Sequence, residues 1–204
     1  MAGVHGANDI VTDGLVYCVD FANPRSYTPS SNDIYDIISE DKNPPYHVVS
    51  SLYDSSCLGH INSNGGFHFK TPMISQIKSI CMMLRTGTSS ATSWNYLMDI
   101  RPYIGNSWYT SQNGSSGRGS AWNYIRINSI SSPVSWTAIP LNTWFQFYTE
   151  TNVAAASGII TFLARYTDAE RLNARISHIL VYNRNLTEAE VSKNFNALRK
   201  RYGI

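Results

Sequence analysis

The sequence predicts an all-β sandwich that is closed by one short C-terminal α-helix. Short β-rich runs recur along the 204 residues, and loops rather than helices separate them. A clear helical apolar pattern occurs at the end of the chain. Because one sandwich often contains about 200 residues, we expect residues 1–204 to form a single domain.

The strand-like runs are rich in β-branched and aromatic residues, and turn residues bound them. The clearest runs are residues 14–21, 47–53, 67–70, 79–85, 94–100, 121–127, 143–149, 158–164 and 174–182. Residues 121–127 alternate aromatic and polar side chains, which is typical of a half-buried strand. Residues 79–85 form an apolar run, SICMMLR, which indicates a buried strand.

The C-terminal helix is predicted over about residues 187–201. Thr187 is a suitable N-cap, and Glu190 three residues later completes a capping box. Apolar side chains then recur at i, i+4, i+7 and i+11 on one helical face: Val191, Phe195, Leu198 and Tyr202. Gly203 stands at a C-cap position. We expect the apolar face to pack on the sandwich and to close its core.

The composition disfavours several classes of function. Charged residues make up only 15 % of the chain and the net charge is +2, whereas a nucleic-acid-binding domain is usually strongly basic. No apolar stretch approaches the ~18 residues of a membrane span, and the N-terminus shows no apolar signal-peptide region. We therefore expect no nucleic-acid partner, no membrane partner and synthesis in a cytoplasm.

The cysteines Cys18, Cys57 and Cys81 show neither a Cys-x-x-Cys pair nor a regular spacing. This pattern disfavours a disulfide framework and a zinc site. Cys18 and Cys81 lie in apolar runs, so we expect them to be buried free thiols.

The end of the chain carries a specific set of motifs. Residues 176–204 contain YNR at 182–184, NFNALR at 194–199 and RYGI at 201–204. This segment resembles the closing strand and helix of concanavalin A-like (laminin-G-type) jelly-roll proteins of tailed bacteriophages. Further segments resemble the same family in the expected order: DGLVYCVD at 13–20, ANPRSY at 22–27, NGGFHF at 64–69, LNTWF at 141–145 and FLARY at 162–166. Residues 86–140 depart from the family pattern.

The resemblance implies a concanavalin A-like jelly roll and a structural role in the virion. The chain would be a capsid decoration protein or a tail or baseplate component, made in the host cytoplasm and localised to the virion. Its partners would be other virion proteins, and a homo-oligomer is expected. The alternative is a lectin-like module that binds a host or capsule polysaccharide during attachment.

The acidic residues do not favour catalysis. Glycoside hydrolases need two carboxylates about 5–10 Å apart. The close acidic pairs lie in expected loops or at the helix N-terminus: Asp33/Asp36, Glu40/Asp41, Asp168/Glu170 and Glu188/Glu190. The sequence lacks a G-x-S-x-G motif, although a Ser/His/Asp arrangement stays open, and His178 is expected to be structural. We therefore predict a non-enzymatic protein with no catalytic residues.

No cofactor or metal is expected, because neither H-E-x-x-H nor a calcium loop occurs. Laminin-G domains often bind calcium through loop carboxylates. Asp54 and Asp99 are conceivable ligands, but the sequence shows no oxygen-rich cluster around them.

An aromatic and polar region spans residues 94–122 and is the candidate glycan-binding site. Aromatic faces stack on sugar rings, while carboxylate and guanidinium groups bind hydroxyls. The candidate residues are Trp94, Asp99, Arg101, Tyr103 and Trp108. The alternative is that alternate aromatic side chains fill the core, with Trp94, Tyr96 and Met98 on one face and Asn95, Leu97 and Asp99 on the other.

Overall fold

The computed structural model describes residues 10–28, 33–41, 47–48, 52–54, 57–60, 67–87, 95–101, 107–110, 116–118, 122–132, 140–153 and 156–204. These residues form strands, one α-helix and one 3-10 turn. The strands are β1 (Leu15–Asp20), β2 (Tyr27–Thr28), β3 (Asp33–Ile34), β4 (His47–Val48), β5 (Leu52–Asp54), β6 (Cys57–His60), β7 (Phe67–Lys70), β8 (Ile74–Ile77), β9 (Ser79–Thr86), β10 (Asn95–Asp99), β11 (Ser107–Thr110), β12 (Ser116–Arg118), β13 (Trp122–Ile127), β14 (Ile130–Ser132), β15 (Trp144–Thr151), β16 (Ala156–Gly158), β17 (Thr161–Phe162) and β18 (Ala174–Tyr182).

Two large antiparallel sheets form the sandwich. The eight-stranded sheet has the order β14-β13-β15-β9-β18-β6-β5, with β1 also paired to β18. The six-stranded sheet has the order β12-β11-β10-β17-β7-β4. Two small ribbons, β16-β8 and β2-β3, complete the described strands. The architecture confirms the predicted all-β sandwich with one short C-terminal helix.

The core of the sandwich lies between the two large sheets. Phe69 and Phe162 of the six-stranded sheet stack with their ring centroids 5.2 Å apart. Phe21 contacts Phe69 edge-on at 5.8 Å. These rings belong to one buried cluster with Met82 and Phe147 of the eight-stranded sheet. Because burying a phenylalanine side chain contributes about 1.5–3 kcal/mol, this cluster holds the sheets together.

A second buried cluster covers the outer face of the eight-stranded sheet. Strand β9 supplies Ile80 and Met82 to the sandwich core, whereas its Cys81 and Met83 belong to the second cluster. The strand is therefore buried on both faces, which confirms the buried strand predicted for residues 79–85. Cys18 is also in this cluster, and the three cysteines are buried and form no disulfide. Burial raises the pKa of Cys81 to about 12, so this thiol stays protonated.

The C-terminal helix α1 (Glu188–Arg199) packs on this second cluster, and a 3-10 turn, Lys200–Tyr202, follows it. The predicted capping box is present: the backbone N–H of Glu190 donates to Oγ1 of Thr187 at 3.3 Å, and that of Thr187 donates to the Glu190 carboxylate at 2.8 Å. Gly203 ends the 3-10 turn in the left-handed region, with φ 67°. None of the helices in the described residues meets the length and apolarity needed to cross a membrane.

Two details differ from the sequence-based expectation. The helix buries Val191, Asn194 and Leu198, while Phe195 is only half-buried beneath the guanidinium of Arg199. Asn194 is buried because its side chain accepts the backbone N–H of Val11 and donates to the Tyr182 hydroxyl. The expected strand at 158–164 is also shortened to Thr161–Phe162. Leu163 adopts a φ of 63°, which ends the extended backbone.

Candidate functional site

A β-bulge in β10 determines which side chains reach the outer face of the six-stranded sheet. Tyr96 pairs with Tyr109 and Met98 pairs with Trp108, which leaves Leu97 as the extra residue. Leu97 and Met98 both belong to the sandwich core. Tyr96 and Asp99 consequently share the outer face. The strict alternation assumed from the sequence, with Tyr96 beside Met98 and Asp99 beside Leu97, was therefore wrong.

Asp99 holds Arg101 in a fixed position. Nε of Arg101 donates to Oδ1 of Asp99 at 3.0 Å, and Nη2 donates to Oδ2 at 2.7 Å. The backbone N–H of Arg101 donates to Oδ1 at 3.0 Å, and that of Tyr166 donates to Oδ2 at 3.1 Å. Asp99 is 0 % exposed, whereas the Arg101 side chain is 25 % exposed. The hydrogen bonds to Asp99 raise the pKa of Arg101, which is therefore a permanent cation.

Two tyrosines and a second arginine surround this ion pair. The Arg101 guanidinium carbon lies 5.3 Å from the Tyr96 ring centroid and 5.2 Å from that of Tyr166. Arg165 lies 5.8 Å from the Tyr166 ring centroid and pairs with Glu170 at 3.2 Å. We call Tyr96, Arg101, Tyr166 and Arg165 the tyrosine–arginine stack. Cation–π contacts of this kind contribute about 0.5–2 kcal/mol each and restrain the guanidinium planes.

A second cluster of polar side chains, formed by Lys70, His68 and Asp168, lies beside the same sheet. The backbone register places Lys70 of β7 opposite Thr161, and Thr161 opposite Asp99. Asp168, in the loop after β17, pairs with Nζ of Lys70 at 2.8 Å and with Nε2 of His68 at 3.1 Å. Partial burial disfavours the Asp168 carboxylate, but the hydrogen bond from Lys70 and the neighbouring His68 outweigh it and lower the pKa of Asp168. The loop that carries Tyr166 and Asp168 thus joins this cluster to the Asp99–Arg101 ion pair.

The structure places the sequence-predicted site residues as follows. Asp99 and Arg101 are brought together on the outer face of the six-stranded sheet. Trp94 and Tyr103 lie outside the described residues, and Trp108 is described only through its backbone in β11. The proposed site therefore stays a prediction at these three positions.

Sequence reasoning missed the contributions of Lys70, Arg165, Tyr166 and Asp168. A signal was present, because Arg165 and Tyr166 belong to the FLARY motif at 162–166. That motif was interpreted as a strand, whereas both residues lie in the loop beyond β17.

Asp99 is poorly suited to the calcium role that was considered for it. Its carboxylate is occupied by Arg101, and a cation at that position would be repelled by the guanidinium. The side chain of Asp54 is outside the described part of the chain. Among the residues that are described, no group of three or more His, Cys, Asp or Glu side chains is placed to hold a metal ion.

A serine, a histidine and an aspartate also meet, but in the protein interior. A bulge in β18 turns Ser177 and His178 toward the C-terminal turn. Nδ1 of His178 lies 2.9 Å from Oγ of Ser177, and Nε2 lies 3.0 Å from Asp20. Ser177 is 0 % exposed and contacts the hydroxyl of Tyr202, so a substrate has no access to it. His178 is buried, as expected of a structural residue.

This buried network anchors the end of the chain. Nη1 of Arg201 lies 2.9 Å from Asp20 and 3.2 Å from His178. Burial disfavours the Asp20 carboxylate, but the hydrogen bond with His178 and the charge of Arg201 outweigh it and lower the pKa of Asp20 to about 2. Burial lowers the pKa of His178. The network therefore joins β1, β18 and the C-terminal turn.

Comparisons with known proteins bear on the fold. The chain matches no family model and no curated protein. It superposes on a Trypanosoma rangeli sialidase with a TM-score of 0.60 and 10 % identity, over 91 % of this chain and 33 % of the sialidase.

Botulinum neurotoxin domains are similar as well. The receptor-binding domain of the C/D mosaic serotype gives a TM-score of 0.56 at 10 % identity, over 92 % of this chain and 52 % of that one. The type G receptor-binding domain gives a TM-score of 0.52 at 13 % identity, over 90 % of this chain and 51 % of the toxin domain. The chain thus spans about a third of the sialidase and half of the toxin domains. At these identities the likeness establishes the fold alone, and the chain is an all-β sandwich.

Proposed function

We propose that this chain is a non-enzymatic structural or accessory protein of a tailed-phage virion. It would serve as a capsid decoration protein or as a tail or baseplate component, and contacts with other virion proteins would hold it in place. The observation that carries the proposal is that the opening and closing motifs of the chain form one interlocked unit. Strand β1 pairs with β18, and the backbone N–H of Asn183 donates to the Gly14 carbonyl at 2.8 Å.

Gly14 explains why the two motifs depend on each other. Its φ is +73°, and a Cβ at this position would lie 2.8 Å from Oδ1 of Asn183 and 2.9 Å from Cγ of Arg184. Arg184 in turn pairs with Asp13 at 2.8 Å and with Glu190 at 2.6 Å. The aspartate and glycine of the first motif therefore fit the asparagine and arginine of the last one. Such mutual dependence supports the resemblance to the phage jelly-roll family.

The arrangement of the acidic groups supports a non-enzymatic role. The carboxylate of Asp99 is buried and paired with Arg101, so it is not poised to transfer a proton to a substrate. The serine of the Ser177–His178–Asp20 network is enclosed by the C-terminal turn. Both clusters instead hold parts of the fold in place.

The test is to purify virions of a phage that encodes this chain, by two successive density gradients, and to quantify the chain by peptide mass spectrometry. We expect it to co-purify at a fixed ratio to the major capsid or tail proteins, and a deletion virion should lose density in a cryo-microscopy map. Light scattering on the isolated chain measures the expected homo-oligomer. The proposal is refuted if the chain is abundant in infected cells but absent from purified particles.

A glycan-binding module for host attachment is the second candidate. The tyrosine–arginine stack on the six-stranded sheet favours it, because Arg101, Arg165 and Tyr166 are partly exposed and aromatic and guanidinium groups recognise sugars. Two of the similar structures are receptor-binding domains. A binding screen against host surface and capsule polysaccharides tests this candidate. Binding that is lost in Tyr166→Leu but retained in Phe195→Leu on the helix would support it, and the absence of binding to any polysaccharide would remove it.

A further inference from the structure

We propose that Arg101 anchors the carboxylate of an acidic saccharide, such as a uronic acid unit of a polysaccharide. This inference rests on the second candidate function, and it names the class of sugar. A guanidinium has two edges that can each engage a carboxylate through two N–H groups. The edge formed by Nε and Nη2 is occupied by Asp99. Because the guanidinium is planar, the other edge, formed by Nη1 and the second proton of Nη2, points away from Asp99. Arg101 also makes a side-chain hydrogen bond with Tyr96, so a ligand would share the remaining N–H groups with that hydroxyl.

Within the Asp99–Arg101 ion pair, only the hydrogen-bond donor reaches the surface. Asp99 is 0 % exposed and accepts bonds from Arg101 and from the backbone of Tyr166, so its oxygens do not face a ligand. The Arg101 side chain is 25 % exposed. A ligand at this edge must therefore supply acceptors. A carboxylate supplies two coplanar oxygens, which match the spacing of the guanidinium protons, whereas a sugar hydroxyl supplies one.

The orientation of the Arg101 guanidinium is already fixed before a ligand binds. Asp99 fixes two of its nitrogens, and the rings of Tyr96 and Tyr166 lie 5.3 Å and 5.2 Å from its central carbon. A ligand therefore immobilises little additional side-chain freedom when it binds. The ring of Tyr166, which is partly exposed, provides the apolar surface on which the sugar ring would rest beside its carboxylate, whereas the ring of Tyr96 is buried.

The charge of the surroundings is compatible with an anion. Four cationic side chains of the described site face three acidic ones: Lys70, Arg101, Arg165 and Arg171 against Asp99, Asp168 and Glu170. Asp99, one of the three acids, is sealed below the surface. Its charge still acts on a ligand through the ion pair, so the four cations and three acids give the site a net charge of +1, which favours an anionic polymer.

The experiment compares acidic sugars with their own carboxyl-reduced forms. Oligogalacturonate, oligomannuronate and hyaluronan fragments, each beside its reduced counterpart, are titrated against the full chain by biolayer interferometry. The variant Arg101→Lys keeps the positive charge next to Asp99 but lacks the second planar edge. Arg199→Lys is the matched control, because its guanidinium also lies over an aromatic ring, that of Phe195 at 5.6 Å, but on the helix. Circular dichroism melting verifies the fold of both variants.

We expect at least one acidic probe to bind about tenfold or more tightly than its reduced form, because charge-assisted hydrogen bonds of a carboxylate are lost on reduction. Arg101→Lys should remove this preference, and Arg199→Lys should retain it. If a reduced probe binds as tightly as the acidic one, the carboxylate anchor is wrong while glycan binding stands. If neither the panel nor any host polysaccharide binds, both are wrong. If Arg101→Lys fails to fold, the comparison of acidic and carboxyl-reduced probes on the unmodified chain still tests whether a carboxylate is recognised.

Discussion

The ion-pair network at the end of the chain predicts that Asp20→Asn destabilises the fold. Asp20 is 1 % exposed and accepts hydrogen bonds from Arg201 at 2.9 Å and from the backbone of Ala22 at 2.9 Å, with His178 at 3.0 Å. Asparagine preserves the size of the side chain but removes its charge. Arg201, which is partly exposed, then loses its ionic partner.

The magnitude follows from the pKa of Asp20, which is lowered from its ordinary 3.8 to about 2. At 1.36 kcal/mol per tenfold change in proton affinity, the folded state favours the charged form by about 2 kcal/mol. We expect Asp20→Asn to lower the free energy of unfolding at pH 7 by about this amount. For a chain of this length, that corresponds to a melting temperature lower by about 4–8 °C.

The assay is urea unfolding followed by tryptophan fluorescence. Trp144 reports on the region directly, because its ring lies 4.4 Å from that of Tyr202 in the C-terminal turn. Asp13→Asn is the matched control, since Asp13 also pairs with an arginine but is 85 % exposed. An exposed ion pair contributes within about 1 kcal/mol. Equal destabilisation by the two substitutions would refute the proposed role of the buried network.

The pH dependence gives an independent check. Since the pKa of Asp20 is lowered on folding, its contribution is fully present above about pH 4 and is lost as the pH falls through about 2. The asparagine variant has no such contribution to lose. The stability difference between the two proteins should therefore narrow between about pH 4 and pH 2. A difference that stays constant over this window would contradict the assignment of the effect to the Asp20 charge.

Three further substitutions test the packing of the termini, each by thermal or urea unfolding. Thr187→Ala removes the N-cap of α1 and should cost about 1 kcal/mol, and a loss near zero would contradict the capping role. Gly14→Ala should be more destabilising than Gly203→Ala, because both glycines have positive φ but only Gly14 meets the Asn183 and Arg184 side chains; equal effects would argue against the interlock. Leu198→Ala should cost about 2–5 kcal/mol, and clearly more than Phe195→Ala, because Leu198 is buried and Phe195 is not; the reverse order would refute the helix orientation.

Much of the fold could be predicted from the sequence because local patterns and tertiary contacts agree. The run at 174–182 corresponds fully to β18, and the capping box of Thr187 and Glu190 depends on residues three positions apart. Residues 79–85 were recognised as a buried strand because both faces of β9 carry apolar side chains. In each case the residues that define the strand or helix are close in sequence, so their pattern is visible without the tertiary structure.

The candidate site and the buried Ser177–His178–Asp20 network could be predicted only in part, because a β-bulge shapes each of them. Leu97 in β10 and the Ser177–His178 step in β18 break the alternation of their strands. A bulge is fixed by the register of the partner strand, which a single sequence does not display. Asp99 and Arg101 were found because they are two residues apart. Tyr166 was not, since it reaches Asp99 through a contact between residues 67 positions apart.

The interlocked termini and the tyrosine–arginine stack lie on different sides of the molecule. The interlocked termini and α1 cover the outer face of the eight-stranded sheet, whereas the tyrosine–arginine stack lies on the outer face of the six-stranded sheet. A virion contact on the helix side would leave Arg101 accessible to a saccharide, so attachment to a particle and recognition of a host glycan are compatible. The variant Arg101→Lys then tests whether the saccharide site and the virion contact are on separate faces or on the same face. If it abolishes saccharide binding without changing incorporation into particles, the two faces act separately, and if it abolishes both, the six-stranded sheet is itself the virion contact.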